Sequence, residues 1–395
     1  MKILSEPEAT RRLYTLDEDG PTVPRRAFLV GVSLGGEPLD TVEEHLDELE
    51  ELVTSCGGQV LGQATQRRRS PSASTFIGSG KAQEIGEVAR NLGAEVVVFD
   101  DDLSPSQIKN LEKATDLAVM DRSSVILEIF SRRARSREAK TQVELARLNY
   151  LLPRLTRRWS HLSRQAGGIG VRGGEGESQL EADRRMLRQR IKRLEKALVG
   201  IEKTRALQRR SRRRVPTVAL AGYTNAGKST LFNQLTQAGV KAQDRLFATL
   251  DARLRRGALD PYHVVIFADT VGFIRKLPHH LVSSFRSTLE EITEADLVLH
   301  VVDRSHPAWE DQLRVADEVL DDLGVEREKT LVVFNKVDRL EADHAPTAAE
   351  AGRNAVAVSA LTGEGLDDLR QCILKQLFPE AAARDEEDPD LAYYS

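Results

Sequence analysis

Apolar residues in the first third of the chain fall in short dense runs, separated by stretches in which they recur every three or four positions. The runs at Ala27–Val32, Gln59–Gly62 and Glu95–Phe99 predict strands, and the periodic stretches Asp40–Val53 and Ala82–Leu92 predict helices between them. Ser104 followed by Pro105 and Gln107 predicts the capped start of a further helix. This alternation predicts a small α/β domain over residues 25–130, behind a polar, flexible lead-in at 1–24. The same rhythm returns after residue 215, with strands predicted at Val218–Ala221, Val264–Ala268, Leu331–Phe334 and Ala355–Val358. It predicts a doubly wound α/β domain over 216–378 and leaves an acidic, flexible tail at 379–395.

Between the two domains the period changes. Leu145, Leu148, Leu152, Leu155, Trp159 and Leu162 alternate gaps of three and four; Leu180, Leu187, Ile191, Leu194, Leu198 and Ile201 form a second such seam. Residues 131–215 are therefore expected to form a long antiparallel helical hairpin. Pro153 is expected to kink or interrupt its first arm and Trp159 to lie in its seam. A helix of ~30 residues spans ~45 Å. The glycine-rich run 167–176 would sit at the tip, where glycine lets backbone approach another surface closely. A slack connector is the plainer reading, yet a simple hairpin needs only a few residues there.

Charge changes the picture of that middle segment. Residues 131–215 hold 25 Lys/Arg against 8 Asp/Glu, a net +17; the whole chain is −4, so the remainder carries −21. A segregated basic block suits a polyanion, and a solvated helix face is the alternative. Candidate RNA contacts are Arg157, Arg158, Arg184, Arg185 and Arg188 on the arms, with Gly168, Gly170, Arg172, Gly173 and Gly174 at the tip. The 40% apolar content suits a globular protein with an ample core. Two distant cysteines, Cys56 and Cys372, suit a reduced cytoplasmic setting. No apolar run reaches the ~20 residues of a membrane helix. A monomer is expected.

The chemistry concentrates after residue 221. Gly222-Tyr223-Thr224-Asn225-Ala226-Gly227-Lys228-Ser229 is a full phosphate loop, placed between an apolar strand and a helix opening at Thr230. Its backbone N–H groups suit phosphates, Lys228 adds charge, and Ser229 suits Mg²⁺. Asn335-Lys336-Val337-Asp338 specifies the base. The Asp338 carboxylate can accept from the adjacent N1–H and exocyclic amine of guanine, whereas adenine would leave it unpaired. Lys336 can lay its stem over the base. Asp269-Thr270-Val271-Gly272 offers Asp269 to the Mg²⁺ shell and the Gly272 N–H to the γ-phosphate. Thr249, within Phe247-Ala248-Thr249, is the expected switch threonine, and Ser359-Ala360-Leu361 would present backbone to guanine. Lys228, Thr249 and Gly272 are the candidates for stabilising the transferred phosphoryl group. Phe273 stands where Ras-type enzymes carry the glutamine that orients water, so slow hydrolysis without a partner is expected. Asn225 is a candidate K⁺ ligand; the alternative is a residue that only shapes the loop. Ile77-Gly78-Ser79-Gly80-Lys81 lacks full phosphate-loop spacing and reads as a turn into a helix, with nucleotide binding the lesser alternative.

Several segments resemble one family. Phe99–Gln107, Gln142–Ala146, Tyr150–Leu155, Gln179–Arg185 and Asp269–Ile274 are similar to the HflX family of ribosome-associated GTPases, over about residues 26–378. The resemblance implies binding of GTP and GDP and of the large ribosomal subunit through its RNA, with the tip directed at the peptidyl-transferase region. It also implies splitting or rescue of stalled or idle ribosomes in the GTP state, under stress. Some members bind ATP or remodel RNA through the N-terminal part, and a GTP-switched RNA scaffold with little turnover is a further reading. Two departures stand out: the tip lacks the family's expected proline and is one residue longer, and the chain ends soon after the GTPase segment.

Overall fold

The computed structural model describes residues 25–155, 179–212, 215–237, 246–247, 249–276, 286–340 and 354–380. The lead-in, the tip glycines Gly168, Gly170, Gly173 and Gly174, and Arg157, Arg158, Trp159, Arg172, Ala248 and most of the acidic tail lie outside the described residues. The chain divides into two compact units. Among the described residues, one holds 25–132 with 150–155 and 179–180; the other holds 133–149 and those from Glu181 onward.

The first unit is built on four parallel strands, β1 (Arg26–Leu34), β2 (Gln59–Arg68), β3 (Val96–Phe99) and β4 (Ala118–Asp121), in the order β2-β1-β3-β4. β1 and β3 are buried almost end to end, as strands covered on both faces must be. The crossovers are α1 (Leu39–Ser55), α2 (Ser79–Asn91) and α3 (Pro105–Thr115), with α4 (Arg122–Arg133) following β4. Val42, Leu46, Leu49, Leu52 and Val53 form the buried stripe of α1, at helical spacing. The start of α3 is set locally. Ser104 Oγ accepts from Gln107 N at 3.3 Å, Gln107 Oε1 accepts from Ser104 N at 2.9 Å, and Pro105 opens the helix. Gly78, with a φ of 89°, ends the incoming turn, and Lys81 pairs with Glu84 at 2.6 Å; the Gly-Ser-Gly-Lys run is a helix entry.

β4 was not legible in the hydrophobic pattern, and its junction with α4 carries two fully buried charged groups, Asp121 and Arg122. Arg122, 1% exposed, donates to Asp100 at 2.6 Å and also pairs with Glu48. Asp121 accepts from the Tyr150 hydroxyl at 2.8 Å and from Arg154 at 3.1 Å, while Arg154 stacks 3.5 Å over the Tyr150 ring. Burial pushes both the Asp121 carboxyl and the Tyr150 hydroxyl above their usual ranges.

The second unit contains α5 (Arg137–Leu151) up to Asn149, most of α6 (Gln179–Arg212), and a six-stranded sheet. A 3-10 turn, Leu152–Arg154, closes α5 where Pro153 breaks the helical pattern. Leu145, Leu148, Leu187, Ile191 and Leu194 of the two seams are buried. Arg190 forks onto Glu144 at 2.8 and 3.2 Å, joining α6 to α5. The sheet runs β10 (Ala355–Ala357), β9 (Thr330–Asn335), β8 (Leu297–Asp303), β5 (Thr217–Gly222), β7 (Val264–Asp269), β6 (Arg253–Ala258). All neighbours are parallel except β6, which runs antiparallel to β7 along one edge. Helices α7 (Lys228–Thr236), α8 (Arg286–Thr293), α9 (Trp309–Asp322) and α10 (Leu366–Leu377) accompany it. Clusters around Phe232–Phe267–Val333 and around Phe273–Leu289–Ile292 form its core, with the loops carrying the site beyond the carboxyl ends of the parallel strands.

Candidate nucleotide-binding site

β5 ends at Gly222 and α7 begins at Lys228, so the phosphate loop occupies the turn from strand to helix. Gly227 takes a φ of 92°, and a Cβ there would lie 2.2 Å from the Asn335 amide nitrogen. No other residue meets both demands. A cavity of about 350 Å³ opens over this turn. Thr224, Asn225, Gly227, Lys228, Ser229 and Thr230 line it from the loop; Phe247 and Thr249 from the following segment; Thr270 and Gly272 from the end of β7. Asn335, Lys336, Asp338, Ala360 and Leu361 line its far side, so five separate stretches of sequence meet at one cavity. Gly222, Tyr223, Ala226, Asp269, Val271 and Ser359 lie behind these walls.

Lys228 is buried at the loop, its Nζ donating to Tyr223 O at 2.6 Å and Gly222 O at 3.1 Å. Burial lowers its pKa to about 8, partly offset by the nearby Asp269 carboxylate. Next to it three oxygen groups converge. Ser229 Oγ and Thr249 Oγ1 each donate to Asp269 Oδ2 at 2.8 Å and lie 3.0 Å from one another. Asp269 Oδ1 is buried without a hydrogen-bonding partner among the described residues. Burial raises the Asp269 pKa, against the two hydroxyl hydrogen bonds. Two hydroxyls and an under-satisfied carboxylate form a compact hard-oxygen set, which fits Mg²⁺.

Gly272 presses on the loop: a Cβ there would meet Lys228 Nζ and Thr224 Cα at 2.9 Å. The next residue pairs with the loop as a strand would. Thr224 N donates to Phe273 O at 2.7 Å, and Phe273 N donates to Gly222 O at 3.0 Å. The Phe273 side chain, 1% exposed, packs beside Leu289 and Ile292. The Phe273 side chain is therefore not part of the cavity lining. Thr224 Oγ1 is also buried and without a partner among the described residues.

The base side is tied more tightly. Asn335 donates to Ala226 O at 2.8 Å and accepts from Ala360 N at 2.9 Å, so one side chain spans the phosphate loop and the 359–361 loop. Lys336 has a φ of 65°, and its Nζ donates to Asp303 Oδ2 at 2.6 Å. Ser359 Oγ donates to Asp338 Oδ1 at 2.5 Å. Two residues at the site, Arg339 and Asp303, escaped the sequence pattern, as did the contact made by the Tyr223 hydroxyl. Arg339 lines the cavity, Asp303 at the end of β8 anchors Lys336, and the Tyr223 hydroxyl accepts from Arg275 N at 2.8 Å. Only the position of Asp303 at a strand's carboxyl end gives a local hint.

Residues 217–336 match the family described as 50S ribosome-binding GTPase; 43–131 and 133–212 match those described as GTP-binding GTPase N-terminal and GTP-binding GTPase Middle Region. The GTPase HflX of Magnetococcus marinus is 47% identical over 348 residues, covering 88% of this chain and 81% of that protein. The GTPase HflX of Escherichia coli K12 is 48% identical over 344 residues, covering 86% and 80%. The chain belongs to the HflX GTPase family. A solved structure of SsGBP in complex with GDP is similar at a TM-score of 0.50 and 26% identity, covering 91% of this chain and 99% of that one. As an HflX-family member the protein is a P-loop GTPase that converts GTP to GDP and phosphate. No helix among the described residues is long and apolar enough to cross a membrane.

Proposed function

We propose that this HflX-family GTPase binds the large ribosomal subunit and, in its GTP state, splits or rescues stalled or idle ribosomes in the cytoplasm. The basic middle segment supports the RNA contact. Arg185 and Arg188 are exposed along α6, and Arg184 is partly so. Asp338 reads the guanine edge, and Asn335 fixes the loop that carries it against the phosphate loop. Lys228 and the loop N–H groups hold the phosphates, and Ser229, Thr249 and Asp269 hold Mg²⁺. Mg²⁺ held by these residues would supply positive charge against the charge that develops on the phosphates during transfer. Thr249 and the Gly272 N–H then distinguish triphosphate from diphosphate.

The observation that carries the catalytic part of this reading is the burial of Phe273. With that side chain in the core, the site stabilises charge yet positions no water through it. Hydrolysis by the isolated protein is slow, and a partner that orders the switch segments or adds a group accelerates it. The same observation favours a second reading, a GTP-switched RNA scaffold that barely turns over. Sedimentation of 70S particles with the protein and a non-hydrolysable GTP analogue tests the first: splitting into subunits supports it, and intact 70S with bound protein supports the scaffold.

A further inference from the structure

Thr249 is joined to a feature 113 residues earlier in the chain through its second neighbour, Asp251. Arg135 N and Ser136 N donate to Asp251 Oδ2 at 3.3 and 3.1 Å, and the Ser136 hydroxyl donates to Asp251 Oδ1. Ser136 is also the residue that starts α5: its Oγ accepts from Ala139 N at 3.0 Å and its carbonyl accepts from Lys140 N at 3.1 Å. The Asp251 carboxylate thus sits against the positive end of a 15-residue helix, where unpaired N–H groups and the helix dipole both favour a negative charge.

At its other end the same short segment meets the metal-site oxygens, with Thr249 Oγ1 2.8 Å from Asp269 Oδ2 and 3.0 Å from Ser229 Oγ. Leu250 between them is 3% exposed. Three residues span at most about 10 Å, so little slack separates the two anchors. α5 is in turn forked to α6 through Glu144 and Arg190. We infer that Asp251 is a positioning residue, tying the Thr249 hydroxyl to the N-terminus of α5 so that triphosphate binding and the placement of the helical arms are coupled.

The consequence is reciprocal. If GTP favours the Thr249 position that Asp251 secures, then whatever steadies α5 raises affinity for GTP by the same factor. GDP, lacking the γ-phosphate that orders a switch threonine, gains nothing. This deepens the proposed function, because it rests on that reading for the identity of what steadies the arms, the large subunit. The clamp itself is a property of the isolated chain. A helix cap with no link to the nucleotide is the alternative, and it would affect both nucleotide states equally.

The test is a titration of the full-length isolated protein with fluorescent GDP and with a fluorescent non-hydrolysable GTP analogue. Wild type, Asp251→Ala, Asp251→Asn, Ser136→Ala and the Asp251→Ala/Ser136→Ala double variant are compared, each with its thermal melt. The inference expects Asp251→Ala to lose about tenfold in analogue affinity relative to GDP, within the usual range for coupled sites. Asp251→Asn, which keeps the shape and loses the charge, should lose less. The double variant should be no worse than Asp251→Ala, since both remove one contact. An unchanged analogue-to-GDP ratio in Asp251→Ala and Asp251→Asn, with or without a lower melting temperature, overturns the inference; so does a double variant that loses the sum of the two. Repeating the wild-type titration with large subunits separates the two readings. A ratio that shifts in the variants but does not respond to subunits keeps the clamp and removes the large subunit as its partner.

Discussion

The two ends of the nucleotide cavity are built differently. At the base end every recognised side chain already has a protein partner: Asn335 holds Ala226 and Ala360, Lys336 holds Asp303, and Asp338 holds Ser359. At the phosphate end the polar groups turn on one another. Ser229 and Thr249 share one oxygen of Asp269, and Asp269 Oδ1 and Thr224 Oγ1 are buried without a partner among the described residues. A preorganised end binds whichever guanine nucleotide arrives. An end with unsatisfied oxygens is completed by what it binds, so the difference between GTP and GDP is read there.

That contrast orders the expected effects. The largest belongs to Asp338→Asn, which sets a donor against the guanine N1–H. GTP and GDP affinities should fall together by ~2–4 kcal/mol, with a shift toward xanthine nucleotides. Calorimetric titration that leaves GTP affinity unchanged would remove Asp338 from the role. Thr249→Ala should act on the triphosphate alone, weakening a GTP analogue about tenfold while GDP binding is retained. A loss shared equally by GDP would erase the division between the ends. Asp303→Ala should cost about fivefold in affinity for both nucleotides, because a buried partner of Lys336 is lost without touching the phosphates. If only the triphosphate suffers, Lys336 belongs to the other end. The smallest effect concerns Asn225, which lies exposed on the cavity wall. Turnover in KCl above that in NaCl for wild type, and not for Asn225→Ala, would place K⁺ beside the phosphates; equal wild-type rates in both salts would end the idea.

What could be read from sequence follows from distance along the chain. The phosphate loop, the Asn335–Asp338 stretch and the capped helix at Ser104 are local patterns whose chemistry is complete within a few residues. Three strands were missed for local reasons. β4 has only four residues and lies directly against the next helix. β6 has three arginines in six residues and lies on an edge. β8 has His300 in its centre, buried and 3.0 Å from Asp317, a polar interruption that tertiary structure satisfies and the pattern cannot. The pairing of Asp251 with Ser136, and the bond from Arg275 N to the Tyr223 hydroxyl, join residues 115 and 52 positions apart. Nothing in either neighbourhood announces its partner. The same holds for Phe273. Its identity was visible, but only the fold shows that its ring is committed to the core.

The account depends most on the claim that the phosphate end is chemically incomplete in the isolated protein. Single-turnover GTP hydrolysis, followed with and without large ribosomal subunits, tests this most directly. Slow hydrolysis by the protein alone, raised at least about tenfold by subunits and not by Phe273→Gln, is the expected result. Fast hydrolysis by the isolated protein, unchanged when subunits are added, would contradict it.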